Sequence, residues 1–175
     1  TVVRRDVARN DSVVNVKNLI RAVYSADPAN VRALFLLGHV PVPYSGEISP
    51  DGHLPEHYGA WPADAYYGDM DGLWTDAIVA SAAAENSRNW NMPNDGKFDP
   101  SSLPSPVELQ IGRVDLSGLP AFTPSETELL RRYLNKDHNY RHQQTVLPRR
   151  GLVHDSLGIR NGQAYAASSW RGYGP

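Results

Sequence analysis

The sequence of 175 residues contains no cysteine. Disulfide bonds, thiolate metal sites and a cysteine nucleophile are therefore excluded within this chain. No strong charge of one sign is present either, because 17 Lys and Arg stand against 19 Asp and Glu, for a formal net charge of −2. No apolar run approaches the roughly 20 residues that a membrane-spanning helix needs. We therefore expect neither nucleic acid nor a membrane as a partner.

The rest of the composition predicts a folded domain with many loops. Hydrophobic residues make up 41% of the chain and charged residues 21%, which is typical of globular rather than disordered proteins. Fourteen prolines and fourteen glycines predict extensive loops. At this length we expect one domain over residues 1–175. Because the chain opens on Thr1 and stops at Pro175, we also expect a longer parent chain, whose remainder would be a partner.

The first predicted element is a helix that starts after Asp11 or Ser12. Either side chain can accept a hydrogen bond from a free amide group of the first turn. Apolar residues then recur at the spacing of one buried helical face; they are Val16, Leu19, Ile20, Val23 and Tyr24. Asp27 ends the helix, because a residue before proline is pushed out of the α region.

Three short apolar segments predict strands. Residues 32–38 form a continuous apolar run, which is typical of a parallel strand buried on both faces. Residues 107–112 alternate with period two, and residues 151–154 form a third short strand. A second helix is expected from the Thr-Pro-Ser-Glu start at residues 123–126 to about residue 142. This order predicts an α/β fold whose mostly parallel sheet is flanked by helices, here incomplete.

A long ordered loop insertion is expected over residues 40–105. Within it, residues 59–76 combine two Trp, two Tyr, four Asp and three Gly without helical or strand periodicity. Ordered loops of this kind, held by a rigid scaffold, often carry binding sites. Its aromatic residues are suited to stacking on a sugar or a peptide, although buried loop anchors would have the same composition; they are Trp61, Tyr66, Tyr67 and Trp74.

Two acidic segments of the insertion resemble calcium loops. Hard cations prefer several carboxylate and carbonyl oxygens, and glycine lets the chain turn tightly around the ion. The segments Asp69-x-Asp71-Gly72 and residues 94–99 have these residue types, so the candidate calcium ligands are Asp69, Asp71, Asp95 and Asp99. The alternative is that these aspartates form turns by bonding to nearby backbone amide groups.

A second metal hypothesis rests on histidines. His39 follows the first predicted strand, where α/β sheets place their ligand crevices. His53 and His57 have the i, i+4 spacing of zinc ligands on a helix, but Pro55 lies between them and makes a helix unexpected. With Asp51 and Asp64 nearby in the sequence, they form a candidate metal cluster; they are His39, Asp51, His53, His57 and Asp64. The alternative is loop histidines tied to backbone or carboxylate groups.

Three segments in order resemble the first half of a gingipain-type cysteine peptidase domain. Residues 34–41 (LFLLGHVP) are similar to a family strand that ends in Leu-x-Gly-Asp, residues 63–69 (ADAYYGD) to its Asp-x-x-Tyr-Gly segment, and residues 109–115 (LQIGRVD) to its Ile-Gly-Arg strand. The similarity covers roughly residues 30–142. His39 stands where the family commonly has Asp.

The resemblance implies a caspase-like α/β fold, a place for Asp64 near the substrate pocket, calcium in the acidic loops, and a secreted or cell-surface protein. It also implies a catalytic His-Gly and a catalytic Cys on later strands, which this chain lacks. The leading hypothesis is a segment of a peptidase-like hydrolase domain that contributes substrate-pocket and calcium-binding loops, without its own nucleophile.

Two alternatives belong to other functional classes. One is a non-catalytic module that binds carbohydrate or peptide, for which the predicted contact residues are Trp61, Tyr66, Tyr67 and Trp74. The other is a stand-alone metalloenzyme built on His39, His53 and His57. The sequence does not decide whether the chain is an enzyme.

Overall fold

The computed structural model describes residues 2–146 and 148, and of the remainder only the backbone of residues 159–160 and 163–164. The chain divides into two compact units, Thr1–Leu130 and Arg131–Pro175. The elements in chain order are α1 (Val13–Ala26), β1 (Ala33–Leu37), β2 (Tyr44–Ile48), β3 (Gly59–Pro62), α2 (Ala65–Gly68), a 3₁₀ turn (Ser87–Asn89), β4 (Gln110–Val114), α3 (Glu126–Arg141), β5 (Ile159–Arg160) and β6 (Gln163–Ala164). None of the helices in the described part of the chain has the length and apolar character needed to span a bilayer.

Helix α1 forms where its capping and periodicity predict it. The Ser12 hydroxyl accepts a hydrogen bond from the Asn15 amide at 3.0 Å, which satisfies one of the free donors of the first turn. At the other end, Asp27 is the C-cap, and its amide donates to Tyr24. Val16 is buried on the inner face.

Strands β1 and β4 form a small parallel sheet, so the chain is a mixed α/β protein as predicted. Phe35 pairs with Gly112 and Leu37 with Val114. The expected burial of both faces is wrong, because Phe35 and Leu37 remain 53% and 44% exposed while Leu36 is buried. The core lies on one face only; it contains Val16, Leu36, Tyr66, Tyr67 and Phe98.

The insertion at residues 40–105 contains regular structure that the sequence did not predict. Strands β2 and β3 pair in antiparallel fashion, and the register shifts between Ser45 and Ile48. Gly46 lies in this shift with φ of +89°, a conformation that glycine adopts without strain. The insertion also supplies Tyr67 and Phe98 to the core. It is therefore an integral layer of the fold.

Helix α3 begins at Glu126, three residues after the predicted cap. The Ser125 hydroxyl, and not that of Thr123, accepts a hydrogen bond from the Glu128 amide at 3.3 Å. None of its residues is buried. The strand predicted at residues 151–154 lies outside the described residues.

Candidate metal centre

Asp51, His53 and His57 bring three potential metal ligands together in the loop between β2 and β3. The Nδ1 atoms of His53 and His57 lie 3.0 and 2.6 Å from the same oxygen, Asp51 Oδ2. One ligand atom from each residue lies within 4.8 Å of the other two. Within the described residues, no other group of three His, Asp or Glu side chains is arranged so that it could hold a metal ion.

A compact turn positions these three side chains. Gly52 has φ of +77°, and its amide donates to Ser49 O at 3.0 Å, so the chain reverses immediately after Asp51. The His57 amide then donates to His53 O at 3.1 Å. That bond closes a turn that contains the cis Leu54–Pro55 peptide and is not a helix, as Pro55 predicts. The turn brings both imidazoles to the same carboxylate oxygen.

Trp61 supports the ring of His57 from β3. The indole Nε1 donates to His57 O at 2.9 Å, and the two rings meet edge to face with centroids 6.0 Å apart. The His53 and His57 rings are also edge to face, at 5.2 Å. Trp61 therefore contacts the cluster from the scaffold side, and the predicted use of its ring in ligand stacking stays a prediction.

The charge of the cluster favours a cation. Hydrogen bonds from His53 and then His57 hold the pKa of Asp51 well below its usual range, so its carboxylate is anionic at neutral pH. The side chains of Asp51, His53 and His57 are 45%, 65% and 44% exposed. Solvent or a substrate atom can therefore reach an ion held between them.

His39 lies in a different place from the other two predicted histidine ligands. Its Nδ1 is 2.7 Å from Asp115 Oδ2 and 2.9 Å from Ser117 Oγ, at the carboxyl edge of the β1–β4 sheet. The grouping of His39 with His53 and His57 is therefore wrong. Asp115 and Ser117 were missed, although their position after β4 in a parallel sheet was a usable signal.

The four aspartates predicted to bind calcium serve as backbone caps or lie apart. The buried Asp69 carboxylate accepts from Ser105, Gly72 and Trp74. Asp99 accepts from the amides of residues 77–79, Asp95 from those of Met92 and Lys97, and Asp71 is exposed. They form no three-ligand group within the described residues. The structure gives no support for calcium and matches the turn alternative.

The pKa of Asp99 reflects this capping role. Burial raises it, but hydrogen bonds from Val79, Thr75 and neighbouring amides outweigh that effect and lower the pKa to about 2. For Asp69, likewise, burial raises the pKa and the bonds from Ser105, Gly72 and Trp74 lower it overall. Both carboxylates are thus anions stabilised by protein donors.

Asp64 is engaged by Arg113 from β4. Guanidinium atoms Nε and Nη2 lie 2.7 and 2.8 Å from its two carboxylate oxygens. The same guanidinium donates to Val40 O and Pro41 O. These contacts tie the insertion to the sheet, and the substrate-binding role predicted for Asp64 stays a prediction.

Tyr66 and Tyr67 are core residues. They are 6% and 0% exposed, Tyr66 stacks on Phe98 with ring centroids 4.3 Å apart, and the Tyr67 hydroxyl donates to Pro41 O at 2.8 Å. Their rings are unavailable to a ligand in this structure. This corrects the predicted stacking platform and matches the alternative of buried loop anchors.

Comparison of the chain with protein-family models, with curated proteins and with solved structures gives no match. The gingipain-type resemblance accordingly stays a prediction.

Proposed function

We propose that this protein binds a divalent transition-metal ion at Asp51, His53 and His57. The observation that supports the proposal is the convergence of both imidazole Nδ1 atoms on one anionic carboxylate oxygen, at 2.6 and 3.0 Å. The His57 contact is a hydrogen bond. A bound ion would be held by Asp51, His53 and His57, with the proton of each neutral imidazole on Nε2 so that Nδ1 is free to bind.

The spacing of the ligand atoms suits a small ion. Zinc ligands lie about 2.0–2.1 Å from the metal, so two ligands of a tetrahedral site are roughly 3.3 Å apart. To reach this value, the nitrogen–oxygen distances to Asp51 need to lengthen by about 0.3 Å from 3.0 Å for His53 and by about 0.7 Å from 2.6 Å for His57. Side-chain rotation of exposed residues can supply such a change.

The ligand types favour zinc, copper or nickel over calcium and magnesium. Two imidazoles and one carboxylate are ligands of intermediate softness, which suit zinc, copper and nickel. Calcium and magnesium prefer oxygen ligands alone. Three protein ligands on an exposed loop leave at least one position for water. An open position of this kind is typical of catalytic rather than structural zinc sites.

The test is a titration of the tag-free protein with Zn²⁺ by isothermal calorimetry. One equivalent should bind, and His53→Ala and His57→Ala should each weaken binding at least about tenfold. His39→Ala is the matched control, because it removes an exposed histidine outside the cluster. Equal affinity in the parent, His53→Ala and His57→Ala proteins would overturn the proposal.

Trp61 gives a second readout. Its ring touches that of His57, so Cu²⁺ bound at the cluster should quench its fluorescence, and excess Zn²⁺ should restore the signal. Trp61→Phe should bind the metal with a smaller loss of fluorescence than the parent shows, since the Trp61 ring contacts that of His57. The same fractional quenching in Trp61→Phe as in the parent would place the copper elsewhere.

A second proposal is that the chain is a scaffold segment of a peptidase-like hydrolase domain. The parallel pairing of β1 with β4, between α1 and α3 in sequence, supports it. An experimental structure in which β1 and β4 belong to a larger parallel sheet would strengthen this proposal. The described part of the chain contains only β1 and β4 in this sheet, so an experimental structure in which they remain its only strands would contradict the proposal.

A further inference from the structure

A second candidate site lies at the carboxyl edge of the parallel sheet, apart from the metal ligands. His39 follows β1, and Asp115 follows β4 directly. Parallel strands end at the same edge, which is where open α/β sheets bind their ligands. The 2.7 Å contact between His39 Nδ1 and Asp115 Oδ2 joins the two strand ends.

The contact sets the tautomer of His39. The carboxylate is an acceptor, so Nδ1 carries the proton and Nε2 keeps a lone pair. Burial raises the pKa of Asp115, but hydrogen bonds from Ser117 and His39 outweigh that effect and lower it, which keeps the carboxylate anionic. Nε2 makes no hydrogen bond to any described residue, and the His39 side chain is 42% exposed.

A pocket of about 400 Å³ lies near this pair in the fold, although neither His39 nor Asp115 lines it. Its lining residues include Leu116, Leu119 and Leu129, two prolines and Glu126. Ser117, which contacts His39, stands between the lining residues Leu116 and Gly118. A Cβ placed on Gly38 would lie 3.6 Å from Glu126 Oε1, so the start of α3 reaches the residue before His39.

We propose that this protein hydrolyses neutral esters that have a short apolar acyl chain. His39 is the general base of the reaction, and the pocket binds the acyl chain. Asp115 is the positioning residue that holds the imidazole in its reactive tautomer. Leucine and proline walls suit an alkyl group, and pockets of this volume accept small ligands.

The reaction balances with water as its only co-reactant. Nε2 takes a proton from water as the water oxygen bonds to the ester carbonyl carbon, whose π electrons move to the carbonyl oxygen. Those electrons return, the bond from carbon to the alkoxide oxygen breaks, and the alkoxide takes the proton from Nε2. Ester and water give carboxylic acid and alcohol.

The position of Ser117 argues for water as the nucleophile. Its hydroxyl lies 2.9 Å from Nδ1, the nitrogen already paired with Asp115, and not at Nε2. A serine nucleophile would need the unprotonated nitrogen. Ser117→Ala should therefore keep most of the activity.

The experiment measures hydrolysis of p-nitrophenyl butyrate by the full chain in EDTA, which removes any contribution from metal at Asp51, His53 and His57. His39→Gln should lower the protein-dependent rate at least about 10²-fold, while His138→Gln, an exposed histidine on α3, should leave it unchanged.

The Asp115→Asn variant distinguishes a role of Asp115 in positioning His39 from a role in folding. Its kcat should fall while its KM for the butyrate ester stays near the parent value, because the pocket is unchanged and the imidazole is no longer held in its reactive tautomer. If His39→Gln does not fold by circular dichroism, Leu119→Trp provides the test, since it fills the pocket and should abolish hydrolysis of the butyrate ester.

The proposal is overturned by a parent rate equal to that of buffer, by equal rates in His39→Gln and His138→Gln, or by an unchanged rate in Leu119→Trp. Loss of activity in Ser117→Ala as large as in His39→Gln would replace the water mechanism with an acyl-serine one. These outcomes are independent of metal binding, because the assay contains EDTA.

Discussion

Arg113 and Asp64 form a bidentate ion pair between β4 and the insertion, with donor–acceptor distances of 2.7 and 2.8 Å. Their side chains are 17% and 27% exposed. Because the remaining guanidinium donors bond to Val40 O and Pro41 O, one side chain connects three segments. This arrangement makes the pair structural, and it makes the stability of an Asp64 variant a sharp test.

Asp64→Ala should lower the free energy of unfolding by about 2–4 kcal/mol, because it leaves the largely buried Arg113 charge without its carboxylate. Arg113→Lys should also destabilise, since an ammonium group cannot form the two parallel bonds. Denaturant unfolding measures both effects. Asp137→Ala is the matched control: it breaks the exposed pair with Arg141 on α3 and should cost under about 0.5 kcal/mol. If Asp64→Ala lowers the free energy of unfolding by no more than Asp137→Ala does, Asp64 is available as a binding residue.

The buried position of Lys17 predicts that the free energy of unfolding increases as the pH becomes alkaline. Lys17 is buried, and its ammonium donates to Tyr66 O and Asp69 O. Burial, with repulsion from Arg21, lowers its pKa from 10.5 to about 8. Between these values the unfolded chain holds a proton that the folded chain has released, so the free energy of unfolding rises with pH. From pH 7.5 to 9.5 the rise should be about 2 kcal/mol.

Urea unfolding at several pH values measures this rise. Above pH 10 the trend should reverse, because burial raises the pKa of Tyr66 and Tyr67, which then hold protons that the unfolded chain releases. Lys17→Met should flatten the curve between pH 7.5 and 9.5, and Lys136→Met, at an exposed position on α3, should not. A flat parent curve would contradict the role of Lys17.

Local sequence signals were sufficient to predict helix α1 and the two strands of the parallel sheet, β1 and β4. Ser12 as a cap, the apolar spacing from Val16 onward, and proline after Asp27 all agree on one helix. Strand β2 could not be predicted, because the segment Tyr44–Ile48 contains Gly46 and lacks alternation. Its pairing with β3 depends on contacts across the insertion, which no local pattern encodes.

The candidate site could be predicted in part for a similar reason. The spacing of His53 and His57 identified two candidate ligands, but it did not reveal that a turn through Pro55 brings both to Asp51. Tyr66 and Tyr67 have the composition of both a binding platform and a core anchor, and only the packing against Phe98 decides between them. Composition alone cannot report which side of a loop faces the core.

Gly59, in the insertion at residues 40–105, lies where any side chain should clash with a neighbouring segment. A Cβ at this position would lie 2.0 Å from Asn89 O, a backbone atom that cannot rotate away. Gly59→Ala should therefore destabilise by about 2–3 kcal/mol or prevent folding. Gly112→Ala is the milder comparison, because its nearest neighbour is the Phe35 ring at 3.3 Å, which is half exposed. Thermal unfolding of both variants gives the ranking, and an equal shift in melting temperature would contradict the close packing of β3 against the 3₁₀ turn.

The metal proposal predicts a dependence on pH that separates a histidine site from an oxygen-only site. Protons compete with the ion for the imidazole nitrogens, so Zn²⁺ affinity should be lower at pH 5.5 than at pH 7.5, with proton release on binding at the lower pH. Calorimetry in buffers of different ionisation enthalpy measures that release. Asp51→Asn keeps the shape of the cluster and removes its anion; it should weaken Zn²⁺ binding and, at exposed positions, leave metal-free stability nearly unchanged. Affinity that is constant over this pH range, or unaffected by Asp51→Asn, would assign the bound ion to other ligands.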